Sequence, residues 1–185
     1  MAEKDRKAEL YTKYPMSSLL IYNAATILHF VLGGIGIMLG YSSSWMGYLG
    51  GAAYLVFAFL EMYAWMPFKV CPNCVYYKLE DSLCVSGLNV VSKKVAKPGD
   101  PRDFAKRGEG LLCPNNLYVA ALVAPIIAII PALFINLSLP LLAAFLVLIG
   151  LLVFRFLVVF TKIACIHCRA KYACPQAGQM GVREQ

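Results

Sequence analysis

Long apolar runs alternate with short polar links along this chain of 185 residues. The run Met16–Gly40 carries no formal charge, and neither does the stretch 117–154, which a polar Asn-Leu-Ser-Leu-Pro link divides. A bilayer core about 30 Å thick requires about 20 apolar residues of α-helix. The pattern therefore predicts four transmembrane helices, at residues 16–40, 45–66, 117–135 and 141–160.

The composition supports the same class of protein. Hydrophobic residues make up 60% of the chain and charged residues only 15%, whereas about half of an ordinary soluble domain is apolar. The two short links force each pair of helices to be antiparallel. We therefore predict an all-α integral membrane protein built from two transmembrane hairpins, with a cysteine-rich metal-binding loop region. The predicted segments are 1–15, 16–66, 67–116, 117–160 and 161–185.

Two residue types are expected to shape the helices themselves. Gly36 and Gly40 stand four residues apart, as do Gly47 and Gly51, a spacing that lets membrane helices approach closely. Pro125, with Pro131, is expected to kink the third helix, because proline removes a backbone hydrogen bond.

The basic residues predict the orientation. Four Lys and Arg precede the first span, eight lie in residues 69–107, four follow Phe160, and the short links have none. Because cytoplasmic loops carry the excess of Lys and Arg, both termini and the middle segment are predicted to face the cytoplasm. The expected location is the cell inner (cytoplasmic) membrane, with several passes through the lipid bilayer. This bias accounts for the net charge of +7, so no nucleic-acid partner is invoked. The basic middle loop either binds anionic lipid headgroups or contacts a soluble partner.

All seven cysteines then fall on the cytoplasmic side, where reducing conditions disfavour disulfides. An odd number also fits a disulfide framework poorly. Two Cys-x-x-Cys pairs follow the second and fourth spans, so packing those two helices side by side would bring four thiolates to one tetrahedral site. Each half of the chain thus repeats helix, turn, helix and cysteine pair. The predicted metal ligands are Cys71, Cys74, Cys84, Cys113, Cys165, Cys168 and Cys174.

The metal is either an iron–sulfur cluster or zinc. One arrangement places Cys71, Cys74, Cys165 and Cys168 on a single structural zinc and leaves the other three cysteines as spares or as a second, three-thiolate site. The other gives the first four cysteines of the chain to one cluster and the last three to a second cluster with a further ligand. The Cys-Pro steps resemble ferredoxin loops, and seven thiolates exceed what one structural zinc needs. These two points favour iron–sulfur chemistry. His167, inside the second pair, is expected to form a hydrogen bond rather than bind the metal.

Three ionisable side chains lie within the predicted spans: His29, Glu61 and Arg155. Ionisable groups inside a membrane are functional candidates, so these residues are assigned to a quinone or proton site. Each also has a structural interpretation. His29 would be a neutral side chain bonded to a neighbouring helix, whereas Glu61 and Arg155, at similar depths, would form a buried ion pair.

These features predict an iron–sulfur electron-transfer and anchor subunit that links a soluble or membrane redox partner to the quinone pool. One alternative is a zinc-stabilised membrane scaffold or assembly protein. Another is a quinone-coupled thiol oxidoreductase. In outline, four helices with Cys-x-x-Cys pairs resemble the disulfide-forming membrane enzymes of the quinone-linked and vitamin K epoxide reductase type. Those enzymes act on the non-cytoplasmic side, opposite to the side predicted here. A redox or scaffold subunit is favoured over a stand-alone enzyme, because so small a chain offers little room for a substrate pocket.

Overall fold

The computed structural model describes residues 8–106, 109–110 and 112–183, so parts of three predicted segments (residues 1–7, 107–108, 111 and 184–185) lie outside the described residues. Within the described ranges the regular structure is helical, apart from two isolated β-bridges. Among the described residues, four helices are long and apolar enough to cross a membrane: α1 (Met16–Gly40), α2 (Trp45–Asn73), α6 (Pro114–Ile135) and α7 (Leu139–Ala164). The shorter helices are α3 (Val75–Lys78), α4 (Leu88–Val95), α5 (Pro101–Ala105) and α8 (Pro175–Gln179).

Helices α2 and α7 continue beyond the apolar residues that predict them. After Leu60, α2 passes through a π-helical turn at Glu61–Trp65 and ends in a 3₁₀ turn at Cys71–Asn73. The last part of α7, Arg155–Ala164, is π-helical. A hydropathy pattern ends where the apolar side chains end, whereas a helix continues as long as its backbone hydrogen bonds do. As a result, both cysteine pairs stand directly at helix ends.

The packing of the four spans differs from the predicted side-by-side contact of α2 and α7. Helices α1 and α6 pack against each other, and each packs against both remaining spans. Along these fully described helices, α2 and α7 scarcely touch, because α1 and α6 lie between them. The cysteine pairs therefore approach each other only beyond the ends of the spans.

Glycines allow the close approach of the helices, as their spacing predicts. A Cβ atom added to Gly51 would lie 2.7 Å from the backbone oxygen of Gly34, on α1. A Cβ atom at Gly36 or Gly40 would lie 2.5 Å from a side-chain carbon of Ile129 or Ala132, on α6. The neighbour of Gly51 is backbone and that of Gly40 is a Cβ atom, so neither position has space for a methyl group. The neighbour of Gly36 is the end of the flexible Ile129 side chain, which is free to rotate away.

Side chains from α1 and α2 form hydrogen bonds to the backbone of α6 near Pro125. Pro125 lacks an N–H group, so the carbonyl of Ala121 has no donor within the helix, yet α6 continues through both Pro125 and Pro131. The hydroxyl of Tyr54 donates to this Ala121 oxygen at 2.9 Å. Nε2 of His29 lies 2.8 Å from the next carbonyl oxygen, that of Leu122. Neighbouring helices thus satisfy the backbone that proline leaves open, as membrane helices require.

The cost of removing the Tyr54 hydroxyl is therefore expected to depend on Pro125. Tyr54→Phe should lower the free energy of unfolding by about 1–3 kcal/mol, the cost of a buried acceptor left without a donor. In a Pro125→Ala background the N–H of residue 125 can bond to Ala121, so Tyr54→Phe should then have a much smaller effect. Unfolding by SDS titration in mixed micelles measures both values. Equal costs in the two backgrounds would show that the hydroxyl does not replace the missing helix bond.

A cysteine-lined cavity at the end of the helix bundle

A cavity of about 360 Å³ lies between the ends of α2 and α7 and the segments that follow them. Residues of both helices line it, among them Met62 and Met66 of α2 and Phe156 and Phe160 of α7. The structure brings six of the seven predicted ligands to its wall. They are Cys71, Cys74, Cys84, Cys165, Cys168 and Cys174.

Both Cys-x-x-Cys pairs adopt the same kind of tight turn. The N–H of Cys74 donates to the carbonyl of Cys71 at 3.0 Å, and the N–H of Cys168 donates to that of Cys165 at 3.2 Å. An i to i+3 bond of this type closes a four-residue turn. The first turn ends α2, and the second follows the π-helical end of α7, where Cys165 N–H donates to Phe160 at 2.7 Å. The two halves of the chain therefore deliver their thiols in similar local structures.

An extended N-terminal segment, residues 11–14, ties the two halves together. Tyr11 N–H donates to the carbonyl of His167 at 3.0 Å, while Tyr14 N–H donates to Leu83 at 2.9 Å and Leu83 N–H donates to Thr12 at 3.0 Å. The ring of His167 stacks on Tyr11 with centroids 4.4 Å apart, and its Nδ1 lies 2.8 Å from the carbonyl oxygen of residue 9. This segment carries no apolar pattern, so the sequence did not reveal its role.

Two buried tyrosines stand beside the cysteine pairs. The hydroxyl of Tyr14 donates to the carbonyl of Ala164, and that of Tyr76 donates to the carbonyl of Tyr11 at 2.6 Å. Burial raises the pKa of Tyr14 well above its usual range, and the neighbouring Cys168, Tyr76 and Cys165 raise it further. Burial likewise raises the pKa of Tyr76, with a further contribution from Cys168. Both phenols therefore stay protonated at neutral pH and act as hydrogen-bond donors.

The charges around the cavity favour a negatively charged occupant. Among the residues that the structure describes, no Asp or Glu lines the cavity, but Lys171 does. Lys171 is 1% exposed, and its Nζ donates to the carbonyl of Ile166 at 3.1 Å. A buried ammonium group stabilises thiolates nearby. The wall thus combines six thiols with a cation.

Cys113 lies apart from the other cysteines. It lines a second cavity of about 290 Å³, together with residues such as Trp65 and Lys106. It also precedes the first turn of α6 as its N-cap residue. The structure therefore does not bring Cys113 to the six-thiol cavity.

The thiols that share the cavity do not form a finished metal site. Within residues 8–106, 109–110 and 112–183, no group of three or more His, Cys, Asp and Glu side chains could hold a metal ion in the conformation seen. The sequence predicted four sulfur atoms around one centre. The structure places the four cysteines of the two pairs on one cavity without that geometry.

Arg155 lies beneath the cavity in a cage of neutral groups. It is fully buried; its Nη1 donates to the Tyr118 hydroxyl and its Nη2 donates to Thr26 Oγ1 at 2.7 Å. The guanidinium carbon lies 5.6, 5.7 and 5.8 Å from the ring centroids of Tyr22, Tyr118 and Phe160. Hydroxyl acceptors and cation–π contacts therefore stabilise this charge.

The predicted ion pair between Glu61 and Arg155 is wrong. In the described part of the chain, every ion pair joins exposed or half-exposed side chains, and none involves either residue. Glu61 is 4% exposed, and its Oε1 is buried with no hydrogen-bond partner. Equal depth does not bring the two charges together, because α1 and α6 stand between their helices. Each charge instead begins a π-helical segment, ten residues before the first cysteine of a pair.

His29 takes the structural position expected of a neutral side chain. It is fully buried, and its Nε2 donates to the Leu122 carbonyl on α6. Its Nδ1 is buried without a hydrogen-bond partner. His29 and Arg155 thus both bond to residues of α6. The sequence gave no indication that Tyr118 and Thr26 would bind the guanidinium group of Arg155.

Comparison of the sequence with family models and curated proteins, and of the fold with solved structures, finds no match. The fold itself indicates the class: the part of the chain that the structure describes contains four helices long and apolar enough to cross a membrane, as in a multi-pass membrane protein.

Proposed function

We propose that the six-thiol cavity binds an iron–sulfur centre and passes electrons between a redox partner and the membrane quinone pool. One observation supports this most: two Cys-x-x-Cys turns, each closed by an i to i+3 hydrogen bond, line one cavity together with a buried lysine. Iron–sulfur clusters are held by cysteine thiolates, and nearby charge adjusts their reduction potential. Lys171 and Arg155 would lower the cost of the negative charge that such a centre carries.

The centre would form by rotation of the cysteine side chains. Metal–sulfur bonds of about 2.3 Å require the thiols to close around the ion, and metal binding commonly completes the folding of its own site. The turns at Cys71 and Cys165 already fix the backbone. We propose Cys71, Cys74, Cys165 and Cys168 as the primary ligands. Cys84 and Cys174 stand at the same cavity as further thiols, whereas Cys113 does not.

The electron path would run from the cysteine end into the membrane. A soluble or membrane redox protein would deliver single electrons to the cluster, and a quinone would accept two electrons together with two protons. Glu61, with its unpartnered Oε1, and Arg155 lie on the membrane side of the cysteines, and we propose them, with Nδ1 of His29, as quinone or proton contacts. In this arrangement the spans form two antiparallel hairpins, and the positive-inside bias puts the cysteines and both termini in the cytoplasm.

A zinc-stabilised scaffold is the second candidate, and the N-terminal segment favours it. Residues 11–14 bond to the backbone of both cysteine-bearing segments, so a metal between these segments would complete a structural cross-link. Four thiolates satisfy a structural zinc. In this case, Cys84, which is half-buried, and Cys174, which is buried, would serve as small packing side chains.

Metal analysis after anaerobic purification tests the proposal. We expect iron and acid-labile sulfide in stoichiometric amounts, with broad visible absorption. Cys71→Ser and Cys165→Ser should each lose most of the metal, whereas the matched control Cys113→Ser should keep it, because Cys113 lines the other cavity. Colourless protein with zinc would identify the scaffold. Protein without metal would contradict both candidates. If two of its cysteines are also oxidised to a disulfide while an added quinone is reduced to quinol, the result would favour a thiol oxidoreductase.

A further inference from the structure

Helix α4, in the basic loop, packs against the membrane-spanning helix α1 near the beginning of that helix. Just before it, the carbonyl of Ser86 accepts a hydrogen bond from Nδ2 of Asn23 at 3.2 Å. Gly87 lies against Leu19, since a Cβ atom added there would be 3.6 Å from Leu19 Cδ1. Asn23 follows the first residue of α1 by seven positions, which is about 10 Å at 1.5 Å per residue. These contacts place the residues that precede α4 beside the first two turns of the first span.

The same helix is fixed to the end of α2. Ser92 is fully buried, and its Oγ donates to the carbonyl of Pro67 at 2.7 Å. Leu88 joins the core cluster that includes Tyr22 and Met62. These contacts hold α4 beside two spans, at the level where they leave the apolar part of the bundle.

The outer surface of α4 carries both apolar and basic residues. Leu88, Asn89 and Ser92 are buried, whereas three valines remain exposed: Val90, Val91 and Val95, at 40%, 44% and 47%. At 3.6 residues per turn, Val91 and Val95 form one flank of the helix. Lys93 lies on the opposite flank, where its Nζ donates to the Leu79 carbonyl at 2.6 Å. Lys94 is exposed on the outer side, next to the valines.

We propose that α4 is an interfacial helix that inserts Val91 and Val95 among lipid acyl chains and binds anionic phospholipid headgroups through Lys94. Amphipathic helices of this kind lie about 5–10 Å into the boundary between headgroups and acyl chains, which agrees with the depth of Asn23. An apolar flank facing water would be unfavourable, whereas a lipid boundary removes it from water. Helix α4 itself contains no acidic residue, so its charge complements an anionic surface. Helix α4 would therefore contact the membrane in addition to the four spans.

Fluorescence quenching by brominated lipids tests this position. Val95→Trp, and separately Val91→Trp, would be made in a chain whose native tryptophans are Phe (Trp45→Phe and Trp65→Phe), then reconstituted in vesicles. We expect strong quenching by acyl-chain bromine and weak quenching by aqueous iodide. Leu146→Trp, exposed on a span, and Tyr172→Trp, exposed in the tail, provide lipid and water controls. Behaviour of both α4 variants like that of Tyr172→Trp would overturn the insertion.

Titration with phospholipids tests the headgroup contact. The delipidated Val95→Trp protein should respond to phosphatidylglycerol at lower concentration than to phosphatidylcholine. Adding Lys94→Gln should weaken the response to phosphatidylglycerol about fivefold, the effect of one basic residue near an anionic surface, and should leave the phosphatidylcholine response unchanged. Lys69→Gln, at the end of α2, is the matched control for a general loss of charge. An unchanged preference after Lys94→Gln would overturn the assignment to Lys94. Neither test depends on metal binding.

Discussion

Tyr118→Phe is expected to lower the free energy of unfolding by about 1.5–3 kcal/mol, and by much less when Arg155 is already Leu. The reason is that the Tyr118 hydroxyl accepts a hydrogen bond from a fully buried guanidinium group. Removing it leaves part of a buried charge without an acceptor. Once the guanidinium group is gone, the hydroxyl has lost that partner, so its removal matters little. SDS titration of the wild type, both single variants and the double variant gives the coupling energy.

Glu61→Gln is the matched control for this cycle. The structure shows no ion pair between Glu61 and Arg155, so the two substitutions should be additive within about 0.3–0.5 kcal/mol. A strong coupling of Arg155 to Glu61, with none to Tyr118, would restore the ion pair and contradict the cage of hydroxyls and rings. The same result would also mean that α2 and α7 are neighbours, contrary to the packing described above.

The spans were predictable because their signal is one of composition. Twenty apolar residues without charge have few stable conformations other than a membrane helix, and α1 begins and ends at the predicted residues. The extension of α2 to Asn73 was not predictable, since its last turns carry lysine, proline and cysteine. The spacing of Gly36, Gly40 and Gly51 correctly indicated close helix packing, whereas Gly47 lies against the backbone of Tyr41, at the link between α1 and α2.

Contacts across the bundle were harder to predict. Arg155 was paired with Glu61 because their depths match and because the second and fourth spans were expected to be neighbours. The depths do match, but α1 and α6 separate those two spans. The actual partners of Arg155, Tyr118 and Thr26, are uncharged residues that occur often in membrane helices, so no sequence signal singled them out. The N-terminal segment was missed for a related reason: its hydrogen bonds to Leu83 and to the carbonyl of His167 run through the backbone, and such bonds leave little trace in residue type.

The cysteine pairs are expected to meet in the folded protein even without metal. Cys74 and Cys168 both lie close to Tyr76, and both line the same cavity. A variant that retains only these two cysteines should therefore link them within one chain when treated with a short reagent that reacts with two thiols. A second variant that retains only Cys71 and Cys165 repeats the test with different sulfur atoms.

Dibromobimane, which becomes strongly fluorescent when both of its ends react, provides the most direct measurement. The structure predicts a fluorescent, monomeric product in which peptides from the two halves of the chain are joined, whereas variants with one cysteine should stay dark. If both thiols react with a monofunctional reagent but no intramolecular link forms in either two-cysteine variant, the two pairs do not converge. That result would contradict the shared site.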